Sequence, residues 1–204
     1  MLSGQSLALL LWCGAVGWLA VAPQVPDDFA VRWTIRFALA AWFCAVGLHL
    51  FGRTRYATRW LWLAGAVAFV AHVVAAFDRV HHWSHAAAFQ RTLKDSGLGE
   101  GIYVSYCFGL AWLVDALWTL ARAESLRQAT RWRPALHLFM AFIIFNGTII
   151  YEDGPIRWAG AIAFAILAGL VGWRWRWRSP SPSPSSTSST EALPPLPSAP
   201  ATQD

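Results

Sequence analysis

The sequence predicts an all-α, polytopic integral membrane protein: a bundle of about six transmembrane helices followed by a disordered C-terminal tail. Of its 204 residues, 56% are hydrophobic and only 13% are charged, whereas about 25% are charged in a typical soluble domain. Six apolar stretches approach the ~20 residues that a helix needs to cross a ~30 Å hydrocarbon core. None of them alternates with period two, so helices are expected rather than a β-barrel.

The six stretches lie at 6–23, 32–51, 60–80, 101–121, 134–151 and 156–173. The first leaves two interpretations open. It lacks a preceding basic segment, which favours a retained helix, but Ala20-Val21-Ala22 resembles the cleavage site of a signal peptide. Pro134 can begin the fifth helix, because the first turn does not need its N–H. Gly154-Pro155 predicts a tight turn between the fifth and sixth helices.

The composition divides the chain at residue 178. Residues 1–178 form the predicted transmembrane domain. From Ser179 to Asp204, Ser, Pro, Thr and Ala dominate. Such a segment cannot bury a core, so it is expected to be a disordered tail. The three cysteines are scattered through apolar stretches and do not form a disulfide framework.

The arginines predict the orientation and the partner. Most of them lie in the loops at 52–59 and 122–133 and after the last helix. Cytoplasmic loops are enriched in Lys and Arg, so both termini are expected in the cytoplasm, in a bacterial inner (plasma) membrane. The expected partner is the lipid bilayer. Nucleic acid is not expected, because no basic cluster with interleaved aromatic residues lies on a soluble-looking segment.

The concentrated chemistry of the sequence follows the third stretch, and on this orientation it faces the outside. If the helix continues, four potential ligands fall at i, i+3, i+4 and i+7 on one helical stripe, namely Asp78, His81, His82 and His85. Two histidines at i and i+4 can bind one ion, and a carboxylate completes a set that suits iron or zinc. The sequence therefore predicts a transition-metal site, with metal-dependent or redox chemistry on a lipid-accessible substrate.

Four other polar residues within or beside the apolar stretches are expected to support this site. They are His72, Asp115, Asn146 and Glu152, and ionisable groups in a membrane are costly and usually functional. The HHxxH run resembles one box of the membrane di-iron hydroxylases and desaturases. Those enzymes combine several boxes, whereas this chain has one box and six histidines in all, so the resemblance implies no function here.

Two alternatives stay open, and so does the question whether the chain is an enzyme. In the first, the buried His and Asp residues are structural or relay protons in a non-enzymatic membrane subunit or small transporter. His72 and Asp115 would then form an interhelical hydrogen bond or a relay. In the second, His49 and His137 lie at the same depth and ligate a b-type haem.

Overall fold

The computed structural model describes residues 4–51, 55–121 and 132–176. Over these ranges the chain is helical and contains no strand. In chain order the elements are α1 (Gly4–Val21), α2 (Asp27–Leu50), α3 (Arg55–Arg79), α4 (His85–Ser96), α5 (Gly101–Ala121), α6 (Trp132–Phe145) with a π-helical turn (Asn146–Ile150), and α7 (Pro155–Arg176). The predicted all-α class is confirmed. The predicted tail at 179–204 lies outside the described residues.

Five helices are long and apolar enough to cross a membrane. They are α2, α3, α5, α6 with its π-helical turn, and α7. The first predicted span differs, because the apolar part of α1 covers only Leu7–Val21. That is shorter than the ~20 residues of a full crossing. The described chain therefore supports a multi-pass membrane bundle with five spans, and the sixth is not confirmed.

Helix α3 lies at the centre of the bundle and packs against α1, α2 and α5. Its buried residues include several small ones, among them Ala66, Ala68 and Ala75. Small residues let helix backbones approach closely in a membrane. A Cβ on Gly65 would lie 2.5 Å from the ring of Trp112 on α5, so only glycine lets this indole reach the α3 backbone.

One guanidinium holds the ends of three helices together at what we name the histidine end of the bundle, where α1 and α3 end and α2 begins. Arg79 donates to the carbonyl oxygens of Ala20 (2.9 Å), Ala22 (2.8 Å) and Val25 (2.7 Å). It also pairs with Asp27 Oδ1 at 3.0 Å. The last carbonyls of a helix lack intrahelical partners, so Arg79 satisfies the end of α1 and the turn that follows it.

A second arginine makes a similar contact at the opposite end of the bundle. We name this the arginine end, where α2, α5 and α7 end. Arg174 in the last turn of α7 donates to the carbonyl oxygen of Leu50, the last residue of α2, at 2.6 Å. Trp173 beside it contacts the ring of Phe51 at 6.1 Å. These contacts fix the end of α7 to the end of α2.

The π-helical turn of α6 sets the contact with α7. Tyr151 N donates to Asn146 O at 3.0 Å, the five-residue spacing of a π-helix. Within this turn Thr148 is buried. Its hydroxyl lies 2.8 Å from the position that a Cβ on Gly160 of α7 would take. The wider turn thus places Thr148 directly against a glycine of the neighbouring helix.

Arg79→Gln tests the guanidinium contact at the histidine end. We expect the free energy of unfolding in detergent to fall by about 3 kcal/mol, because a buried charged donor is lost from three carbonyl oxygens. Thermal unfolding measures the change. Arg91→Gln is the matched control, because its pair with Asp95 is exposed and such pairs contribute at most about 1 kcal/mol. Equal, small effects of both substitutions would contradict this role of Arg79.

Candidate functional site

The segment that contains His81 and His82 forms a tight turn between α3 and α4, and His85 is the first residue of α4. This histidine turn, residues 80–84, closes α3 with a hydrogen bond from Trp83 N to Phe77 O at 2.8 Å. His82 (φ 47°) and Trp83 (φ 58°) both adopt the left-handed backbone conformation. Ser84 then caps α4, because its hydroxyl accepts from the third N–H of the helix at 3.2 Å. Two successive left-handed residues without glycine are costly.

The predicted single stripe of ligands is wrong, because α3 ends at Arg79 and His85 begins a separate helix. The left-handed turn separates Asp78, His81, His82 and His85 into three backbone segments. Among the described residues, no three His, Cys, Asp or Glu side chains lie close enough to hold one ion. Metal binding by these four residues in another arrangement stays a prediction.

The structure instead surrounds the histidines with aromatic rings. The carboxylate of Asp78 accepts from the indole N–H of Trp83 at 3.1 Å. The ring of His81 packs edge-on against Phe77, with 5.6 Å between centroids. Trp83 itself is 65% exposed. Indoles and imidazoles with a wet polar edge and an apolar body suit the boundary between lipid and water.

His85 joins this group from the first position of α4. It contacts Tyr103 at 5.5 Å and Tyr106 at 5.8 Å on α5. Tyr106 in turn contacts Phe77 at 6.3 Å. The rings therefore form one continuous aromatic cluster across α3, α4 and α5, and its polar groups are spread along it rather than directed at one point.

Three residues that the sequence assigned to support have other contacts. His72 Nδ1 lies 3.0 Å from the carbonyl oxygen of Val31 on α2. The amide of Asn146 donates to Phe142 O in its own helix at 2.8 Å. Glu152 is exposed beyond the π-helical turn. The expected hydrogen bond between His72 and Asp115 is absent from the described contacts, since the Asp115 carboxylate pairs elsewhere.

That carboxylate belongs to a buried polar group near the arginine end, which we name the Asp115 site. It consists of Asp115 and Thr119 on α5 and Arg133 and His137 on α6. Asp115 is only 1% exposed. Arg133 Nη2 lies 3.1 Å from Asp115 Oδ2 and 3.1 Å from Thr119 Oγ1. One turn further along α6, the ring of His137 packs edge-on against Trp62 at 5.0 Å.

Several atoms of the Asp115 site have no hydrogen-bond partner within the described ranges of the chain. They are Asp115 Oδ1, Arg133 Nε and His137 Nδ1. Leaving a buried polar atom unsatisfied costs about 1–3 kcal/mol, and more for a charged group. Buried water typically satisfies such atoms. The site is therefore suited to hold water or another small polar species.

The Asp115 site reaches the protein surface at the arginine end of the bundle. Arg133 lies in the first turn of α6 and its side chain is 27% exposed. On the other side of Asp115 the core is filled by aromatic side chains. Phe108 contacts Phe69 at 4.9 Å and Trp112 at 5.6 Å. We name these three rings the aromatic layer, and they separate the Asp115 site from the histidine turn.

Sequence reasoning assigned the members of this site to different roles. Asp115 was expected to support a metal, and His137 was expected to ligate haem with His49. Arg133 pairs with Asp115 and precedes His137 by one turn of α6, so these three residues belong to one group. Haem ligation stays a prediction. Arg133 lies in a loop of the predicted topology, and the signal that indicates its role is its i, i+4 spacing to His137, which puts both side chains on one helix face.

His82→Gly tests the strain in the histidine turn. Glycine adopts positive φ without a steric penalty, so we expect stability to rise by up to about 1 kcal/mol. Thermal unfolding of the purified protein measures it. His85→Gly is the matched control and should be destabilising by about 1 kcal/mol, because His85 is helical. A loss of stability in His82→Gly would contradict the inference that the positive φ of His82 is strained.

The pH dependence of stability tests the surroundings of His81. Burial, the charge of Arg91 and the neighbouring His82 hold the pKa of His81 below its ordinary value. The folded state thus favours the neutral His81 ring. The contribution of this ring to stability is present above about pH 6.5, the pKa of an unfolded histidine, and is lost as the pH falls through the lowered pKa of the folded protein. We expect the unfolding temperature to fall less on acidification in His81→Gln and in Arg91→Gln than in the parent. Identical pH profiles would contradict this account.

The chain was also compared with family models, with curated proteins and with solved structures. None of the three comparisons finds a match. Its function is therefore inferred below from its own side chains and their geometry.

Proposed function

We propose that this chain is a non-enzymatic, multi-pass membrane protein that takes up and releases protons at the Asp115 site, as a small proton-relaying transporter. One observation carries the proposal: in the described part of the chain, Asp115, Arg133 and His137 each have a buried polar atom without a hydrogen-bond partner. A purely structural ion pair would be expected to satisfy its own polar atoms, since buried polar groups are nearly always hydrogen-bonded.

The chemistry of the three atoms favours water and protons. Asp115 Oδ1 accepts when the carboxylate is ionised and can donate when it is protonated, Arg133 Nε can only donate, and His137 Nδ1 can do either. A bound water molecule can both donate and accept, so it can link them. Chains of Asp and His side chains with water are the usual components of proton relays in membranes. The Arg133 guanidinium keeps its proton, so the proton carriers in this proposal are His137 and Asp115.

The position of the site supports access from one side. The exposed part of Arg133 connects the site to the arginine end, whereas the aromatic layer blocks the path toward the histidine end. The arginine distribution predicts that the arginine end faces the cytoplasm. In this proposal protons enter from that side, and the packing of Phe69, Phe108 and Trp112 is the barrier that a transport cycle has to open.

Proton flux into reconstituted vesicles tests the proposal. Purified protein is reconstituted in vesicles that contain a pH-sensitive dye, and a pH gradient is imposed. A potassium gradient is imposed as well, so that potassium movement balances the charge of the protons that enter. We expect flux with the parent protein and background flux with Asp115→Asn and with His137→Gln. Asp95→Asn and His82→Gln are the matched controls, because they change exposed residues of the same types, and they should keep the parent flux.

The outcomes separate the candidate functions. If folded parent protein shows no flux above empty vesicles, or if Asp115→Asn keeps the parent flux, the proposal is wrong. A lower unfolding temperature in Asp115→Asn without any parent flux would assign the site to structure alone. Near-stoichiometric iron or zinc in the same preparation, lost on substitution of His81 or His85, would favour the metal site instead.

A further inference from the structure

An apolar groove lies between α1 and α2, apart from both polar sites. Its volume is about 490 Å³. Three aromatic rings of α2 form one wall, and small and aromatic residues of α1 form the other: Phe29, Trp33 and Phe37 face Gly14, Ala15 and Trp18. In a chain with membrane-spanning helices, such a groove is open to lipid.

The aromatic wall has the length and shape of a slot for one hydrocarbon chain. Phe29 and Trp33 lie 5.7 Å apart and Trp33 and Phe37 lie 5.6 Å apart, so the rings continue from turn to turn of α2. Eight residues of helix extend ~12 Å. The opposite wall is open because a Cβ on Gly14 would meet nothing within 4 Å.

A cation lies beside this groove. The guanidinium carbon of Arg36 is 5.1 Å from the centre of the Trp33 ring. No carboxylate pairs with Arg36 among the residues that the structure describes. Arg32, one turn earlier on α2, pairs with Asp28 at 3.4 Å. Arg36 therefore lies within a membrane-spanning helix without an anionic partner from the described protein, which is costly in a membrane.

The side chain of Arg36 points in the direction that a lipid headgroup requires. Helical side chains tilt toward the N-terminus of their helix, and Arg36 reaches back over Trp33, three residues earlier. The N-terminus of α2 is at the histidine end, at the membrane surface. The guanidinium is thus directed from mid-helix toward the headgroups, with the apolar groove next to it.

We infer that this groove binds an anionic membrane phospholipid. Arg36 holds the phosphate at the level of Trp33, and an acyl chain continues from there past Phe37, away from the histidine end. An apolar slot with an unpaired cation at its rim matches both parts of such a lipid. Arginines beside transmembrane helices are a known means of binding acidic headgroups. The inference is independent of the Asp115 site, which lies on α5 and α6.

Native mass spectrometry of the full chain in mild detergent tests the inference. Phosphatidylglycerol or phosphatidylcholine is added, and the bound fraction of each is measured. We expect preferential retention of one phosphatidylglycerol. Gly14→Leu should abolish that retention, because the new side chain fills the groove. Gly169→Leu on α7 is the matched control, because a Cβ there also meets nothing within 4 Å, and it should retain the lipid.

Arg36→Gln tests the headgroup without adding bulk to the groove. We expect phosphatidylglycerol binding to weaken about fivefold, the effect of one basic residue on anionic lipid, while phosphatidylcholine binding is unchanged. Equal retention of both lipids by the parent protein would overturn the inference. So would an unchanged lipid preference in Arg36→Gln, or equal retention by Gly14→Leu and Gly169→Leu.

Discussion

The contact of Arg79 with the ends of α1 and α2 is the interaction on which the arrangement of this bundle depends. In lipid, backbone groups must be satisfied within the protein, and helix ends are where they are left over. The Arg79 side chain, only 6% exposed, supplies donors to three carbonyls at once. It thereby attaches α1, whose apolar part is short, to the central helix α3. Both the groove beside α1 and the histidine turn just after Arg79 are positioned by this contact.

Composition and hydropathy were enough to predict the helical membrane class, and five of the predicted spans correspond to α2, α3, α5, α6 and α7. They could not predict the end of α3. Residues 78–85 contain no glycine or proline, so nothing local signals a turn there. The chain turns through His82 and Trp83, held by backbone bonds to α3 and by the Ser84 cap. Strained left-handed residues of this kind are stabilised by their surroundings, which a one-dimensional pattern does not contain.

The candidate site shows a similar limit. The sequence marked Asp115 and His137 as unusual because charged and imidazole groups are costly in apolar helices. The sequence could not predict that Asp115 and His137 belong to one site, because hydropathy does not indicate which helices are neighbours in the bundle. Arg133 was hidden by its position at a helix start, where arginine is ordinary. The two polar regions of the bundle are now seen to be separate, with the aromatic layer of Phe69, Phe108 and Trp112 between them.

The π-helical turn of α6 has a consequence for insertions and deletions in the gene. A π-helical turn holds one more residue than the α-helical turn it replaces. Losing one codon within Asn146–Ile150 would convert this wide turn into an ordinary α-helical turn and change the directions in which its side chains project. Thr148 would then leave the surface that faces Gly160. A change of one residue in length would disturb this contact more than most changes of residue type, so the number of residues in the turn is constrained by the α6–α7 interface.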